Sequence, residues 1–145
     1  MFRCTECGAF NRIRADHPAG EAVCGRCKAK LDVSGAPQDV TAEAFSRAVA
    51  SSPIPVVADF WAPWCGPCRA AAPIVDQFAR ARAGKVLVLK VNSDKAPDLM
   101  RQFGVQGIPA FFAFDGGHEV SRQAGMLPAA AFARWADQVL HKAAA

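Results

Sequence analysis

All six cysteines of the 145-residue chain fall into C-x-x-C pairs. The pairs are Cys4/Cys7, Cys24/Cys27 and Cys65/Cys68. In a reducing compartment this spacing indicates metal binding or redox catalysis rather than a structural disulfide framework. The cysteines therefore constrain both the fold and the chemistry of the chain at each pair.

The composition is typical of a globular chain with a mild positive charge. The 17 Lys and Arg residues against 13 Asp and Glu give a net charge of +4. Basic residues are scattered among acidic ones, so charge alone does not predict nucleic-acid binding. No apolar run approaches the ~18 residues of a membrane helix, and the N-terminus lacks the apolar core of a signal peptide. We therefore expect a cytoplasmic protein.

The N-terminal part of the chain differs from the rest. It contains four cysteines and few large apolar side chains, so it cannot build a hydrophobic core alone. A turn-rich stretch at residues 34–38 separates it from a longer segment with clear hydrophobic periodicity. We predict a small leader (residues 1–34) followed by one larger domain (residues 38–145).

Periodicity and turn residues predict the elements of the larger domain. Thr41 is a good N-cap for a helix of about ten residues. Apolar runs at 55–60, 85–91 and 110–114 indicate strands. The predicted order is helix, strand, helix (65–83), strand, helix (96–103), strand, strand (118–123) and a last helix opening at Pro128.

The third cysteine pair lies within Trp64-Cys65-Gly66-Pro67-Cys68, where a predicted strand passes into a helix. Cys65 should therefore lie at the helix N-terminus, near unpaired backbone N–H groups that favour a thiolate. A thiolate attacks disulfides, and the second thiol can resolve the mixed disulfide by closing a small ring. The alternative is a pair of inert buried thiols or half of a zinc site.

The segment from Asp59 to Arg69, DFWAPWCGPCR, resembles the active-site segment of thioredoxins. The resemblance covers about residues 40–140. Further matching positions are Pro73, Lys90-Val91-Asn92, Gly107-Ile108-Pro109 and Gly125. With its four N-terminal cysteines, the chain is similar to the zinc-containing thioredoxin 2 type. The resemblance implies an α/β thioredoxin fold, a central mixed sheet flanked by helices, with a small N-terminal zinc ribbon. It also implies that the chain is a protein-disulfide reductase.

The resemblance implies roles for four residues in disulfide exchange. Cys65 is the attacking nucleophile, and Cys68 is the resolving thiol. Asp59 corresponds to a buried acid that accepts the proton of Cys68, and burial of a carboxyl without a charge partner raises its pKa. Lys90 is the candidate counter-charge. The alternatives are that Asp59 only bonds backbone groups at the strand end and that Lys90 only extends into solvent.

The resemblance also implies an apolar groove around Cys65 that binds an extended, disulfide-bearing protein segment. Ile108-Pro109 resembles the cis-proline loop, whose backbone pairs with that of the substrate. One departure from the family pattern is Ala110, where many thioredoxins have threonine. The implied groove residues are Trp64, Gly66, Pro67, Ile108, Pro109 and Gly125.

The two N-terminal pairs are separated by sixteen residues, which fits a tetrahedral zinc site with four cysteine ligands. The predicted ligands are Cys4, Cys7, Cys24 and Cys27. Gly8 follows the first pair and Gly25 lies inside the second, as tight turns around sulfur require. A structural zinc ribbon is the simplest interpretation, because so small a segment needs the metal to fold. One alternative, implied by the resemblance, is a redox sensor. The other is a ribbon that binds nucleic acid, but no set of aromatic residues for base stacking accompanies the basic residues of the leader.

The resemblance finally implies partners and cofactors. A flavin-dependent thioredoxin reductase that uses NADPH restores the dithiol, and the substrates are disulfide-containing proteins. Zn²⁺ is the expected metal, and we expect a monomer with no bound organic cofactor, no membrane contact and no nucleic-acid partner. The alternative from another class is a zinc-dependent interaction or holdase module. The intact Trp-Cys-Gly-Pro-Cys motif and Asp59 argue against it, because binding alone requires neither.

Overall fold

A computed structural model describes the backbone of residues 1–144 and the side chains of residues 1–138 other than Ala19. The strands are β1 (Phe2–Arg3), β2 (Phe10–Asn11), β3 (Gln38–Asp39), β4 (Val56–Trp61), β5 (Leu87–Asn92), β6 (Ala110–Asp115) and β7 (His118–Ala124). The α-helices are α1 (Ala42–Ser51), α2 (Gly66–Ala81), α3 (Pro97–Gln102) and α4 (Ala129–Ala144). The order predicted for the elements from α1 onward is confirmed.

The central sheet has the strand order β3-β5-β4-β6-β7. β3, β5 and β4 run parallel, whereas β6 is antiparallel to β4 and β7 is antiparallel to β6. Gly116 and Gly117 form the tight turn between β6 and β7, both with positive φ. The mixed sheet confirms the predicted fold class.

Apolar side chains cover both faces of this sheet. The face toward α1 and α3 includes Phe45, Phe60, Leu89, Leu99, Phe112 and Phe114. The face toward α2 and α4 includes Val57, Val75, Phe78, Val88, Phe111 and Phe132. Asp59 interrupts this pattern, because among the described side chains it is the one buried charged residue. A charge retained in a hydrophobic core opposes folding, so its position indicates function rather than packing.

Helix α2 begins after Cys65, which is its N-cap, and ends at Ala81, two residues before the predicted end. The chain then turns at Gly84, which has a φ of +78°. A Cβ at this position would lie 2.9 Å from the ring of Phe2. Glycine is therefore required both by the left-handed backbone and by the close approach of the N-terminus.

The leader lies against the start of β5 and against β3. The Met1 ammonium donates to the Gly84 carbonyl at 2.9 Å. Arg3 and Gln38 form a reciprocal pair: Arg3 Nη1 donates to Gln38 Oε1 at 2.9 Å, and Gln38 Nε2 donates to the Arg3 carbonyl at 3.1 Å. Phe10 packs against the core on the α1 side of the sheet. The sequence did not predict β3, because a strand of two polar residues carries no hydrophobic signal.

The leader and the third cysteine pair lie at opposite ends of α2. Cys65 caps the N-terminal end, whereas the leader contacts Gly84, just beyond the C-terminal end. A helix of 16 residues is ~24 Å long. The N-terminal residue is therefore about this far from Cys65, and no leader cysteine packs against the cluster that contains Cys65 and Cys68. No helix within residues 1–144 has both the length and the hydropathy needed to cross a membrane.

Candidate active site and metal site

The third C-x-x-C pair forms a disulfide at the start of α2. Cys65 and Cys68 are bonded to each other, their Cα atoms are 5.2 Å apart, and both residues are buried. The backbone N–H of Cys68 donates to Cys65 Sγ at 3.2 Å. The first turn of α2 contains no acidic residue. Free N–H groups and the positive end of the helix dipole therefore act on Cys65 sulfur, and in the reduced state both favour a thiolate.

The loop before β6 faces this pair. The Ile108–Pro109 peptide bond is cis, as the resemblance implied. The Ile108 carbonyl oxygen lies 3.8 Å from Cys65 Sγ, and Ile108 packs against the cluster that contains both cysteines. The Gly125 N–H donates to the Pro109 carbonyl at 2.9 Å. The structure thus brings Ile108, Pro109 and Gly125 together beside Cys65.

The other predicted groove residues flank Cys65 on the helix side. Trp64 is 70% exposed, which is unusual for so large an apolar side chain. Its indole Nε1 donates to both carboxylate oxygens of Asp94, at 3.0 and 3.1 Å. Gly66 and Pro67 are exposed in the first turn of α2. Asp94 was not identified from the sequence, because its contact with Trp64 spans 30 residues and no motif marks it.

Asp59 lies beneath this surface on β4. It is 2% exposed, and its Oδ1 has no hydrogen-bond partner. Burial raises the pKa of Asp59 to about 7; the Lys90 ammonium lowers this pKa, and the Asp39 carboxylate raises it. The prediction of a raised pKa is confirmed, and the unpartnered Oδ1 does not fit a carboxylate that only bonds backbone groups.

Cys68 belongs to the buried face of α2, which continues with Ala71 and Val75. These two residues pack against Val57, which lies two positions before Asp59 and on the same side of β4. The face of α2 that carries Cys68 therefore covers the side of β4 that carries Asp59.

Lys90 lies beside Asp59 on the neighbouring strand, and the two residues are Cα partners in the sheet. Lys90 is half-buried, and its Nζ lies 4.9 Å from the centroid of the Trp61 ring. Among the described side chains it makes no ion pair within 4.0 Å. The structure thus brings Lys90 to the site, held over an aromatic ring rather than bonded to Asp59.

The four leader cysteines converge on one point. Their Sγ atoms all lie within 4.8 Å of one another, and none of the four is in a disulfide. Cys4 Sγ lies 3.7 Å from Cys27 Sγ, and Cys7 Sγ lies 3.6 Å from Cys24 Sγ. Tetrahedral zinc with Zn–S bonds of ~2.3 Å requires sulfurs ~3.8 Å apart. The donor set and its dimensions therefore fit Zn²⁺.

The two leader pairs lie on matching turns. In the first turn the Gly8 N–H donates to the Cys4 carbonyl at 2.9 Å, and in the second the Lys28 N–H donates to the Cys24 carbonyl at 3.0 Å. Both turn residues have positive φ, 80° for Gly8 and 67° for Lys28. The role predicted for Gly25 is wrong, because the left-handed residue of the second turn is Lys28. Position 28 is equivalent to Gly8, and no sequence signal marks a lysine in this conformation.

Asn11 supports the second turn and was also not identified from the sequence. Its side chain accepts from the Gly25 N–H at 2.9 Å and donates to Cys24 Sγ at 3.5 Å. The backbone N–H of Arg26 adds a second donor to the same sulfur at 3.4 Å. Such donors stabilise a negatively charged sulfur, as a metal-binding thiolate requires.

Comparison with known proteins agrees with this geometry. The family model "Thioredoxin" matches residues 36–138 and so begins after the four leader cysteines. Thioredoxin 1 of Nostoc is 46% identical over 89 residues, which cover 61% of this chain and 83% of that protein. Thioredoxin of Synechocystis is 41% identical over 108 residues, 74% of this chain and all of that protein.

Among solved structures, a mutant thioredoxin from Halobacterium salinarum superposes with a TM-score of 0.67 at 26% sequence identity. The superposition covers 74% of this chain and 93% of that one. The site geometry, the family match and these relatives lead to one conclusion. The chain belongs to the thioredoxin family, whose members are thiol-disulfide oxidoreductases.

Proposed function

We propose that the chain is a protein-disulfide reductase in which Cys65 is the nucleophile and Cys68 the resolving thiol. The position of Cys65 Sγ carries this proposal. This sulfur caps α2, accepts the Cys68 N–H, and lies 3.8 Å from the Ile108 carbonyl oxygen in the cis-proline loop. The thiolate of the reduced state is therefore stabilised at the place where a substrate backbone would lie.

The exchange takes place in two steps. The Cys65 thiolate attacks one sulfur of the substrate disulfide, so that a Cys65–substrate bond forms and the other substrate sulfur leaves as a thiolate. Cys68 then loses its proton and attacks Cys65 Sγ, which forms the Cys65–Cys68 bond and releases the second substrate thiolate. The substrate gains two electrons, and the Cys65/Cys68 pair loses them.

Asp59 is the proposed acceptor of the Cys68 proton. A pKa of about 7 suits a general base near neutral pH, because the carboxylate is both available and basic enough to take the proton. The proton passes back to the departing substrate thiolate, which completes the balance. Lys90 is the proposed counter-charge, since its ammonium favours the ionised form of Asp59.

The proposed substrate is an extended protein segment in the groove around Cys65. The groove residues are Trp64, Gly66, Pro67, Ile108, Pro109 and Gly125. The exposed indole of Trp64, fixed by Asp94, supplies a rigid apolar wall. The Cys65–Cys68 disulfide formed in each turnover is reduced by a flavin-dependent thioredoxin reductase with two electrons from NADPH. This cycle requires a reducing compartment, in keeping with the predicted cytoplasmic location, and it needs only a monomer.

We also propose that the leader (residues 1–34) is a separate unit with a zinc site, joined to a thioredoxin domain (residues 38–145), as in the zinc-containing thioredoxin 2 type. Cys4, Cys7, Cys24 and Cys27 would hold the metal, and Zn²⁺ bound there would offset half of the thiolate charge and cross-link the two turns. The start of the family match at residue 36 supports this division.

A sensing role of the leader rests on access to its thiols. Cys27 is exposed and Cys7 is partly exposed, whereas Cys4 and Cys24 are buried. A peroxide would therefore reach Cys27 first, and oxidation of two ligands to a disulfide, with reduction of the peroxide to water, would remove them as metal ligands. We expect peroxide to release about one equivalent of zinc from a Cys65→Ser/Cys68→Ser variant, which lacks the other reactive pair. Zinc that stays bound would exclude the sensing role.

A coupled assay tests the reductase. The purified chain, thioredoxin reductase and a protein disulfide are expected to oxidise NADPH continuously. A Cys68→Ser variant is expected to accumulate mixed disulfides with substrates, and the Cys65→Ser/Cys68→Ser variant serves as the matched control that cannot form them. An active chain whose Cys68→Ser variant traps no substrate would contradict the two-step mechanism.

A further inference from the structure

Three charged residues lie in one row across the parallel strands of the sheet. Asp39 on β3 is the Cα partner of Lys90 on β5, and Lys90 is the Cα partner of Asp59 on β4. Paired residues on neighbouring strands point to the same face, and the strands are ~4.8 Å apart. The two carboxylate-bearing positions therefore flank Lys90, and their backbones are separated by ~10 Å.

The row is held firmly at its outer end. The Val40 N–H donates to the Lys90 carbonyl at 3.0 Å, immediately after Asp39. On the other side of Asp39, Gln38 is held by its reciprocal hydrogen bonds with Arg3. Asp39 is thus fixed by the residues before and after it, although its own side chain is exposed.

Lys90 is not neutralised by either carboxylate. Within the described side chains it lies outside ion-pair distance of both, and its ammonium lies over Trp61. Its positive charge therefore acts on Asp39 and Asp59 together. On the buried face of α2, which covers Asp59, the titratable group is the thiol of Cys68 in the reduced state. The other charged residues of this helix lie off that face: Arg69 and Arg80 are exposed, and Asp76 is half-exposed and paired with Arg80.

We propose that Asp39 is a positioning residue for disulfide exchange, whose negative charge offsets Lys90 and so sets how readily Asp59 takes the proton of Cys68. This inference rests on the proposed function of Asp59 as the proton acceptor. The like charge of Asp39 raises the pKa of Asp59, opposite to the effect of Lys90. A carboxylate whose pKa lies far below neutral pH accepts a proton poorly. By offsetting the charge of Lys90, Asp39 therefore keeps Asp59 effective as a base near neutral pH.

The test compares four variants of the full chain: Asp39→Asn, Lys90→Met, the double variant Asp39→Asn/Lys90→Met, and Glu43→Gln. Glu43 is exposed in the first turn of α1, so its replacement removes the same unit of charge outside the row. Two quantities are measured for each variant: the titration midpoint of the Asp59 carboxyl by carbon NMR, and the midpoint of the pH profile of disulfide reduction.

We expect Asp39→Asn to lower both midpoints by a few tenths of a pH unit, because Asp39 is exposed and screened by solvent. Lys90→Met is expected to raise them, and the double variant is expected to return toward the unmodified protein. Glu43→Gln should leave both unchanged. If Asp39→Asn behaves like Glu43→Gln, the proposal is wrong.

The two readouts separate this proposal from the proposed function. If the Asp39→Asn substitution moves the titration midpoint of the Asp59 carboxyl but leaves the pH profile of disulfide reduction unchanged, Asp39 has no role in disulfide exchange. An Asp59→Asn variant that keeps the inflection of the pH profile would show instead that Asp59 is not the proton acceptor. In that case both the proposed proton step and the role of Asp39 are overturned, while the reductase assignment itself is unaffected.

Discussion

The active-site pair and the leader pairs share the C-x-x-C spacing, but the backbone after the first cysteine differs. After Cys65 the chain enters a helix, and the two thiols of the pair bond to each other. In the leader the chain turns back at a left-handed residue, Gly8 or Lys28, and each sulfur lies close to one from the other pair. The comparison shows that the same spacing serves two arrangements. Local backbone conformation decides whether the two thiols of a pair bond to each other or converge with the thiols of another pair.

Replacing Cys65 is expected to have the largest effect. The turnover rate of a Cys65→Ser variant should fall by at least ~10³-fold, because the serine hydroxyl does not attack disulfides near neutral pH. Its bound zinc should stay the same, since no leader cysteine packs against the cluster that contains Cys65 and Cys68. The coupled assay and metal analysis of the same sample check both statements. A loss of zinc in this variant would show that the two cysteine sets depend on each other.

Asp59 gives a second contrast with the leader. Among the described residues it belongs to no group of candidate metal ligands, so no metal would offset its buried charge as zinc would in part offset that of the leader thiolates. Its pKa in the folded state, about 7, is above the unfolded value of ~4. The stability contributed by the neutral carboxyl is therefore fully present below pH ~4 and is lost as the pH rises through about 7.

An Asp59→Asn variant should consequently raise the free energy of unfolding of the oxidised protein by on the order of 3 kcal/mol at pH 8, and by little at pH 4. Denaturant unfolding at both pH values measures the difference. Asp98→Asn is the control, because Asp98 is exposed on α3 and should show no such pH dependence. An equal effect of Asp59→Asn at both pH values would rule out the raised pKa as its cause.

Removing the metal tests whether the leader needs it to fold. Chelation is expected to abolish amide protection in residues 1–34, because the hydrophobic cluster around the cysteines is small. The thioredoxin domain should stay folded but lose ~1–2 kcal/mol with the contacts of Phe2 and Arg3. Hydrogen exchange and denaturant unfolding measure the two effects. An Arg3→Ala variant with zinc bound isolates the contribution of the contact with Gln38, and full protection of the leader without metal would contradict the prediction.

The smallest effect concerns the left-handed turn residue. Lys28→Gly should stabilise the second turn by ~1 kcal/mol, which corresponds to ~5-fold tighter zinc binding, because glycine adopts positive φ without strain. Gly8→Ala should weaken binding by a similar or larger factor. Gly25→Ala is the matched control: its φ is not positive, and a Cβ there would make only an ordinary 3.6 Å contact with Asn11. Competition with a chromophoric chelator measures the affinities. Equal effects at positions 25 and 28 would contradict the assignment of Lys28.

Much of the thioredoxin domain was predictable because its three central strands are largely apolar and α1 has a clear N-cap. Thr41 accepts the Ala44 N–H, as expected of an N-cap, and the strand before Cys65 is buried along almost its whole length. The cis bond at Pro109 and the raised pKa of Asp59 also agree with prediction. These features follow from local pattern or from a long, specific motif.

Three of the features that were not predicted depend on partners distant in sequence. β3 is a strand because β5 lies beside it, and its polar residues give no local sign of this. Asp94 and Asn11 act through contacts with Trp64 and with Cys24, which no spacing rule connects. Lys28 adopts a conformation that its residue type disfavours, so its place could be found only from the equivalence of the two turns.

The contacts of the leader also determine the kinetic order of any electron exchange between the two cysteine sets. Met1 and Arg3 hold the leader to Gly84 and Gln38, so exchange within one molecule requires these contacts to open first. The rate of that exchange should not depend on protein concentration. Exchange between two molecules needs no such opening, and its rate should increase with the square of protein concentration.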